Sequence, residues 1–311
     1  MASSEAGVMV ARVSCLYQRY LAQRTPRKCG KIRFHGVKGM DVYNPSVPFC
    51  DADRWMIAAR VEARTSEMSR VCFFAWDGHN DASLLEDAPR FALQDPFVAW
   101  VDNQRVMGGV EVEFDTSHQP VRWRTQFWAG PSISQMHLIA TGPWGMKDIR
   151  LLSLPDGRVL VFTRPQGAIG GRGTIGWTIV ASLNDLNEAS ITKATLLHHV
   201  ESLDWCGVNS ARLLPDGRVE ALAHVAHFDS ELNRHYYAAR FIFDYRNGES
   251  SPIEIIACRD DFLPGRASAT TYVMWCFLRD GYRCRIEVCF FAEQATAKCS
   301  GWRVELPSAL T

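Results

Sequence analysis

The chain has 311 residues and a mass of 35.0 kDa, a length that all-β barrels and propellers reach as one domain, so size alone does not divide it. Hydrophobic residues make up 47%, charged residues 22% and aromatic residues 11%, which excludes a disordered chain. Lysine and arginine number 34 against 34 aspartate and glutamate, with a pI near 7.1, so the long-range field used by nonspecific nucleic-acid or membrane-surface binders is missing.

At the N-terminus Glu5 comes early and Arg12 breaks the apolar stretch, which is not the basic-then-apolar order of a secretory leader. Residues 1–30 read as an N-terminal extension, open to a short helix, and residues 31–311 as a catalytic domain expected in the cytoplasm. No apolar run approaches the roughly 20 residues of a membrane span. Ten cysteines form no C-x-x-C pair and several stand in strand-like runs, so buried free thiols are expected rather than disulfides or zinc.

Past Arg24 helical periodicity fades, and short apolar runs alternate with turn signals. Leu154-Pro155-Asp156-Gly157-Arg158-Val159 and Leu214-Pro215-Asp216-Gly217-Arg218-Val219 are the clearest hairpins. Weaker ones lie at 50–54, 101–105 and 278–282. Their spacing of about 50 to 65 residues suits a four-stranded propeller blade with generous loops. In the third unit the four strands are predicted at 149–154, 159–163, 176–182 and 193–198. The fold class predicted is all-β, a five-bladed propeller of four-stranded antiparallel blades, with 31–35 closing the last blade; a pair of β-sandwiches is the alternative.

In a propeller the innermost strand of every blade starts at one mouth of the central channel, and its antiparallel neighbour ends there. Before or at the innermost strands stand Tyr43-Asn44-Pro45, Gln94-Asp95-Pro96, Lys147-Asp148-Ile149-Arg150 and Trp205-Cys206-Gly207-Val208-Asn209. At the ends of the next strands stand Arg60-Val61-Glu62, Glu111-Val112-Glu113, Arg164-Pro165-Gln166 and His224-Val225-Ala226-His227. Such groups are costly to bury unless they pair or bind something, so this rim is the expected site. Of Glu62 with Arg64, and of Glu111 with Glu113, strand alternation would let only one of each pair reach the channel. The opposite mouth receives plain Asp-Gly hairpin tips.

The phrases VYNPSVPF, QDPFVAWV, KDIRL, VFTRPQG, GVNSARLLPDG and AHVAHFD resemble a small family of bacteria and protozoan parasites first catalogued as of unknown function. Some of its members are dual mannosyltransferase-phosphorylases of β-1,2-mannan (mannogen). Asn44-Pro45, Arg60-x-Glu62, Asp95-Pro96 and Lys147-Asp148 with Arg150 also resemble the five-bladed mannoside phosphorylases of glycoside hydrolase family 130. The likeness runs from about residue 36 to about residue 302. It implies an inverting phosphorylase or transferase acting on β-mannosides, with mannose 1-phosphate or GDP-mannose as donor, and inorganic phosphate and mannan oligosaccharides as further partners; no cofactor, nucleic acid or membrane is implied.

An inverting phosphorylase needs one acid and an anion site, because phosphate replaces the second carboxylate's activated water. Asp95 matches the family acid; for that role burial, or Glu62 and Asp148 nearby, should raise its pKa. Lys147, Arg150, Arg164 and His224 are the phosphate candidates, and Tyr43, Asn44, Arg60, Glu62, Asp148 and Asn209 the sugar-binding ones. Tyr43, Trp144 and Trp205 could stack on sugar faces. His224 and His227 are three apart on a strand, on opposite faces, so no metal is expected there. The glycine-rich 167–173 lacks a Walker lysine and precedes a strand, so it reads as a rim loop able to touch a nucleotide, not as a P-loop. The family's acidic position in the last blade has no clear match in 284–291, and Arg259-Asp260 with Pro264-Gly265-Arg266 are open candidates for the anion pocket. The rivals are a hydrolase using Glu62, Asp148 or Glu111 as base, and a non-enzymatic binding propeller, whose repeated signatures are missing.

Overall fold

The computed structural model describes residues 10–25 and 32–261, together with the backbone of strands at 271–280, 283–292 and 300–304. Helix α1 (Val13–Gln23) precedes the strands and buries Val13, Leu16 and Tyr20, an i, i+3, i+7 stripe that presents one face to the core.

The first sheet contains β1 (Arg33–His35), β2 (Asp41–Tyr43), β3 (Phe49–Asp51), β4 (Arg54–Glu62), β5 (Arg70–Trp76) and β6 (Asp81–Leu84). Both β2 and β3 pair with β4, so the innermost strand is split by the Asn44-Pro45 step. The second sheet is a four-stranded meander of β7 (Gln94–Val101), β8 (Gln104–Phe114), β9 (Pro120–Gly130) and β10 (His137–Thr141). The third has β11 (Arg150–Ser153), β12 (Val159–Thr163), β13 (Ile175–Val180) and β14 (Thr195–Leu197), with the short helices α2 (Gly167–Gly170) and α3 (Glu188–Thr192) in its connections. These four strands match the prediction within two residues at most ends. The fourth sheet contains β15 (Trp205–Leu213), β16 (Val219–Phe228), β17 (Arg234–Asp244), β18 (Glu249–Ser250), β19 (Glu254–Ala257), β20 (Thr271–Asp280), β21 (Arg283–Ala292) and β22 (Ser300–Val304).

The architecture is therefore an all-β, propeller-like arrangement of four antiparallel sheets, and the five separate blades expected from the repeats are corrected. The fifth hairpin forms as β20 and β21. However, β18 and β19 cover only part of the outer edge of β17, and the open end pairs His235 with Thr271 in parallel. That link merges the last hairpin into an eight-stranded sheet. The closing-strand expectation is also corrected: β1 lies parallel on β6 of the first sheet, Arg33 opposite Asp81. Arg33 and His35 both bind Asp81, at 2.7 and 2.6 Å, while Phe34 packs edge-on to Phe74 with centroids 4.9 Å apart. These bonds, that from Arg33 foremost, hold the Asp81 carboxyl down at about 2.

Turn chemistry follows the sequence closely. Ala52 and Asp53, and again Asp102 and Asn103, adopt positive φ at both central positions, the type I′ geometry whose twist matches a hairpin. At the Asp-Gly units, Gly157 and Gly217 take φ of +84° and +82°. Asp156 and Asp216 bind Arg158 and Arg218 at 2.8 and 2.7 Å on an exposed surface, as plain hairpin tips do.

The largest apolar cluster joins α1 to the third and fourth sheets through Leu160, Phe162, Val225, Phe241 and Phe243. Burial of each large side chain there contributes about 2 kcal/mol. Across this core Tyr17 stacks on Tyr237 at 4.5 Å, and Tyr20 Oη donates to Asp261 Oδ2 at 2.5 Å. Arg24 Nε reaches the other oxygen of Asp261 at the same distance. The N-terminal extension is thus helical over 13–23 and fastened to the sheets. Cys72, Cys206 and Cys258 are buried free thiols, whereas Cys15 and Cys50 are exposed. Among the described residues no helix is long and apolar enough to cross a membrane.

Candidate functional site

Three positions at the starts of innermost strands share one unusual conformation. Asn44, Asp95 and Asp148 take φ of 45°, 50° and 59°, the left-handed region that Asn and Asp tolerate better than other non-glycine residues. Asp95 lies where the register between β7 and β8 slips from Gln94 to Phe97. Strain of this kind persists only where the surroundings enforce it, and it clusters at functional sites. In the fourth sheet the slip falls between Val208 and Ser210 and frees Asn209 from the ladder.

The three side chains open into one cavity of about 910 Å³, within the usual size of a small-ligand site. Asn44 donates through Nδ2 to Asp95 Oδ1. Arg60 places Nη1 at 3.3 Å from the same oxygen and Nη2 at 2.7 Å from Glu62 Oε2. One guanidinium therefore holds two carboxylates apart in fixed orientations. Glu62 also accepts from Ser69 Oγ; burial nevertheless pushes its carboxyl above the ordinary range, against Arg60 and Ser69. Tyr43 lines the same wall and donates to Asp41 Oδ2 at 3.1 Å. Its phenol is raised by burial and then by Asp41.

On the facing wall Arg164 donates from Nε to Cys206 O at 3.0 Å and from Nη1 to Asp148 Oδ2 at 3.1 Å. Two glycines make room for it. A Cβ on Gly207 would lie 2.8 Å from Arg164 Cδ and 2.7 Å from His224 Cε1, and one on Gly173 would lie 2.7 Å from Arg164 Nε. Burial opposes charge on Asp148, yet Arg164 and the neighbouring cations hold its carboxyl well below the usual carboxylate range. His224 is depressed to about 3, chiefly by burial, so it is a neutral imidazole near pH 7. Its Nδ1 meets Asn209 Oδ1 at 2.8 Å. Lys147 reaches the cavity and makes no salt bridge among the described residues.

Of the sequence candidates, Tyr43, Asn44, Arg60, Glu62, Asp95, Lys147, Asp148, Arg164 and His224 line this cavity, and Trp205 does too. Arg150 and Asn209 stand behind its wall. Arg150 is 5% exposed and donates to Asn209 O at 2.9 Å and Ile149 O at 3.0 Å, because β11 turns that side chain toward the neighbouring innermost strand. Phe97 packs beneath its guanidinium, 4.8 Å from the ring centroid. Glu111 is committed to Arg124 at 2.6 Å away from the cavity. Trp144 is covered by Arg122 and Arg124, 4.0 and 4.3 Å from its centroid, instead of facing the cavity. His227 turns from His224 and stacks on Tyr237 with parallel rings 5.8 Å apart, as alternate strand faces require. The alternation expected of Glu62 and Arg64 fails, since both line the cavity. Strand β4 ends at Glu62, and beyond it the chain is free of the pleat. Arg64 Nη2 also pairs with Asp41 at 2.9 Å.

Sequence reading missed three contributors. The tip of the β8–β9 hairpin, where His118 has φ of 60° and Asp115 Oδ1 accepts from Ser117 and Gln119 N, brings His118, Gln119 and Pro120 over the mouth. Phe228, Arg234 and Tyr236 come from the base of the β16–β17 hairpin. Arg172 comes from the glycine-rich loop. Only the loop carried a signal, its glycines; a hairpin's overhang depends on strand length and bend, which composition does not encode. Arg259 and Asp260 lie in a 3₁₀ turn outside the cavity lining, whereas Pro264, Gly265 and Arg266 lie outside the described residues. No cluster of three or more metal-ligating groups occurs among the described residues.

Fold and site together define a propeller-like protein with a charged, small-ligand cavity at one mouth of its ring of strands. The chain belongs to the DUF1861 family, described as a protein of unknown function, whose model matches residues 18–281. Among solved structures it is similar to MPT-4, a mannose phosphorylase from Leishmania mexicana solved with a phosphate ion. The identity is 28% and the TM-score 0.82, covering 94% of this chain and 92% of that one. MPT-1, a GDP-Man-dependent mannosyltransferase from Leishmania mexicana, shares the fold at 24% identity and a TM-score of 0.83, with 96% of each chain covered. A hypothetical protein from Leishmania major aligns at 25% identity and a TM-score of 0.79, covering 95% of each chain. No curated protein matches the sequence.

Proposed function

We propose that this chain is a mannosyl-transferring enzyme, an inverting phosphorylase-transferase acting on β-mannosides, with β-1,2-mannan as the substrate class. Mannose 1-phosphate or GDP-mannose is the donor, and phosphate is the acceptor in reverse. The observation that carries this reading is the cavity's division into a wall of held carboxylates and a wall of cations. Asp95 stands fixed by Asn44 and Arg60 on one side, while Lys147 and Arg164 face the same space. The likeness to a mannose phosphorylase that binds phosphate supports it.

In phosphorolysis a phosphate oxygen held by Lys147, Arg164 and His224 attacks the anomeric carbon. The glycosidic C–O bond breaks, and the leaving oxygen takes its proton from Asp95, directly or through a sugar hydroxyl, giving mannose 1-phosphate and a shortened mannoside. Synthesis reverses each step: the acceptor hydroxyl forms the new C–O bond, the donor phosphate leaves with its electron pair, and Asp95 takes the hydroxyl proton. Neutral His224 offers hydrogen bonding without adding charge to an already cationic wall. Tyr43, Asn44, Arg60, Glu62 and Asp148 hold sugar hydroxyls; Arg150 and Asn209 position Asp148 and His224 from behind.

The test is direct. The protein is incubated with mannose 1-phosphate or GDP-mannose plus mannose, and separately with mannan oligosaccharide plus phosphate. Oligosaccharide in the first mixture and mannose 1-phosphate in the second are expected. Release of free mannose at the same rate without phosphate would replace the reading by a hydrolase, and no product in any mixture would end it.

A further inference from the structure

Beyond the inner cations, the cavity holds a second cationic station that the mechanism above leaves unused. Arg172 stands over the ring of Phe228 at 4.6 Å from its centroid, and Arg234 at 5.9 Å from the same centroid. Both side chains are exposed, both line the cavity, and neither makes a salt bridge among the described residues. Most other exposed arginines of the described surface are spent on carboxylates, such as Arg33 on Asp81, Arg122 on Glu113 and Arg246 on Asp244. Two guanidinium groups on one aromatic ring repel each other unless an anion lies against them.

The loop geometry ties this station to the inner one. Gly167 and Gly171 exchange backbone hydrogen bonds at 2.8 Å, closing a tight turn. Gly173 then packs its backbone against the Arg164 guanidinium with no room for a Cβ. Arg172 is the adjacent residue, so the strut that fixes the inner cation also carries the outer one. Tyr236 lines the wall between them: its ring lies 5.9 Å from His224, and Arg164 and Arg234 both lower its phenol's pKa against the dominant upward effect of burial.

We propose that Arg172 and Arg234, seated on Phe228, form a second anion site that takes the outer phosphoryl group of a diphosphate ligand whose inner phosphoryl group meets Lys147 and Arg164. The site thus admits a diphosphate ester as well as a monophosphate. This rests on the inner site being the phosphate site of the proposed function. The ligand chemistry is shared by inorganic diphosphate and a nucleoside diphosphate, and the probes separate them.

Dissociation constants are measured by calorimetry for inorganic phosphate, inorganic diphosphate and GDP, on the unmodified chain, on R172A/R234A and on the milder R172Q. The double variant is expected to weaken both diphosphate probes by about tenfold or more, as loss of two charge-assisted contacts implies, with phosphate changed by less than about twofold. R172Q shifts the same way by less, and keeps the test valid where the double variant does not fold. GDP binding tighter than inorganic diphosphate assigns the site to nucleotides; equal binding assigns it to the diphosphate alone. An equal loss for all three probes, or no loss for any, overturns the second site. Diphosphate binding that depends on Arg172 without measurable phosphate binding would retain it while removing the phosphorylase reading.

Discussion

Arg60 bridges Asp95 and Glu62 at 3.3 and 2.7 Å, so the carboxylate assigned the proton transfer is oriented by a cation that it shares. Asp95→Asn is expected to lower kcat by 10² to 10⁴, about the contribution of a general acid, in both directions, with the far-ultraviolet circular dichroism unchanged. Turnover within tenfold of the unmodified chain would remove Asp95 from that role.

Replacing the bridge itself tests its structural share. Arg60→Leu leaves Asp95 and Glu62 facing each other without a counterion, and it should lower unfolding stability by about 3 kcal/mol in urea titration. Restoring neutrality in Arg60→Leu/Glu62→Gln should recover part of that loss; no recovery would show that packing, not charge, is what Arg60 supplies.

Two buried imidazoles set the acid limb of stability. His224 is depressed from 6.5 to about 3 and His199 to about 4, burial being the chief cause in each. Between those values and 6.5 the unfolded chain binds more protons than the folded one, so stability falls as pH falls through that window. His199→Phe and His224→Asn should each flatten the slope of melting temperature against pH below 6.5, by at most about 1.4 kcal/mol per pH unit for each imidazole. A slope unchanged by both variants would assign the acid limb to other groups.

The fit of Arg164 between two glycines predicts an affinity effect. Gly207→Ala places a methyl 2.8 Å from Arg164 Cδ, which should displace the guanidinium, cost roughly 1 to 3 kcal/mol of stability, and raise the KM for phosphate more than it lowers kcat. A KM left unchanged would mean that Arg164 does not meet phosphate.

The N-terminal helix is held at Asp261, whose carboxylate accepts from Tyr20, Arg24 and Cys258 N at 2.5, 2.5 and 2.6 Å. Asp261→Ala leaves those donors with reduced satisfaction inside the fold and should cost about 2 to 4 kcal/mol. Limited proteolysis should then cut near residues 24 and 25 first. Equal protease resistance would show that the apolar stripe of α1 suffices to hold it.

Much of this was legible in the sequence because strand period and turn chemistry are local. The Asp-Gly turns, the third sheet and the convergence of Asn44, Asp95 and Asp148 follow from short motifs. What was not legible depends on partners distant in the chain. The attachment of β1 to β6 turns on Asp81, 48 residues beyond Arg33. The sharing of one sheet by the last two hairpins turns on a single pairing, His235 with Thr271. Arg150 and Asn209 were placed on the right strands but on the hidden side, since a register slip at Val208 to Ser210 redirects side chains without a signature in composition.

The left-handed turns at Asn44, Asp95 and Asp148 narrow what substitution can do at this mouth. Only asparagine, aspartate and glycine accept that conformation cheaply, others losing on the order of 1 kcal/mol. The backbone thereby restricts the chemical alphabet at three of its own contact points to an amide, a carboxylate or nothing. Divergence in what such a chain handles must then be written in the overhanging loops and hairpin tips.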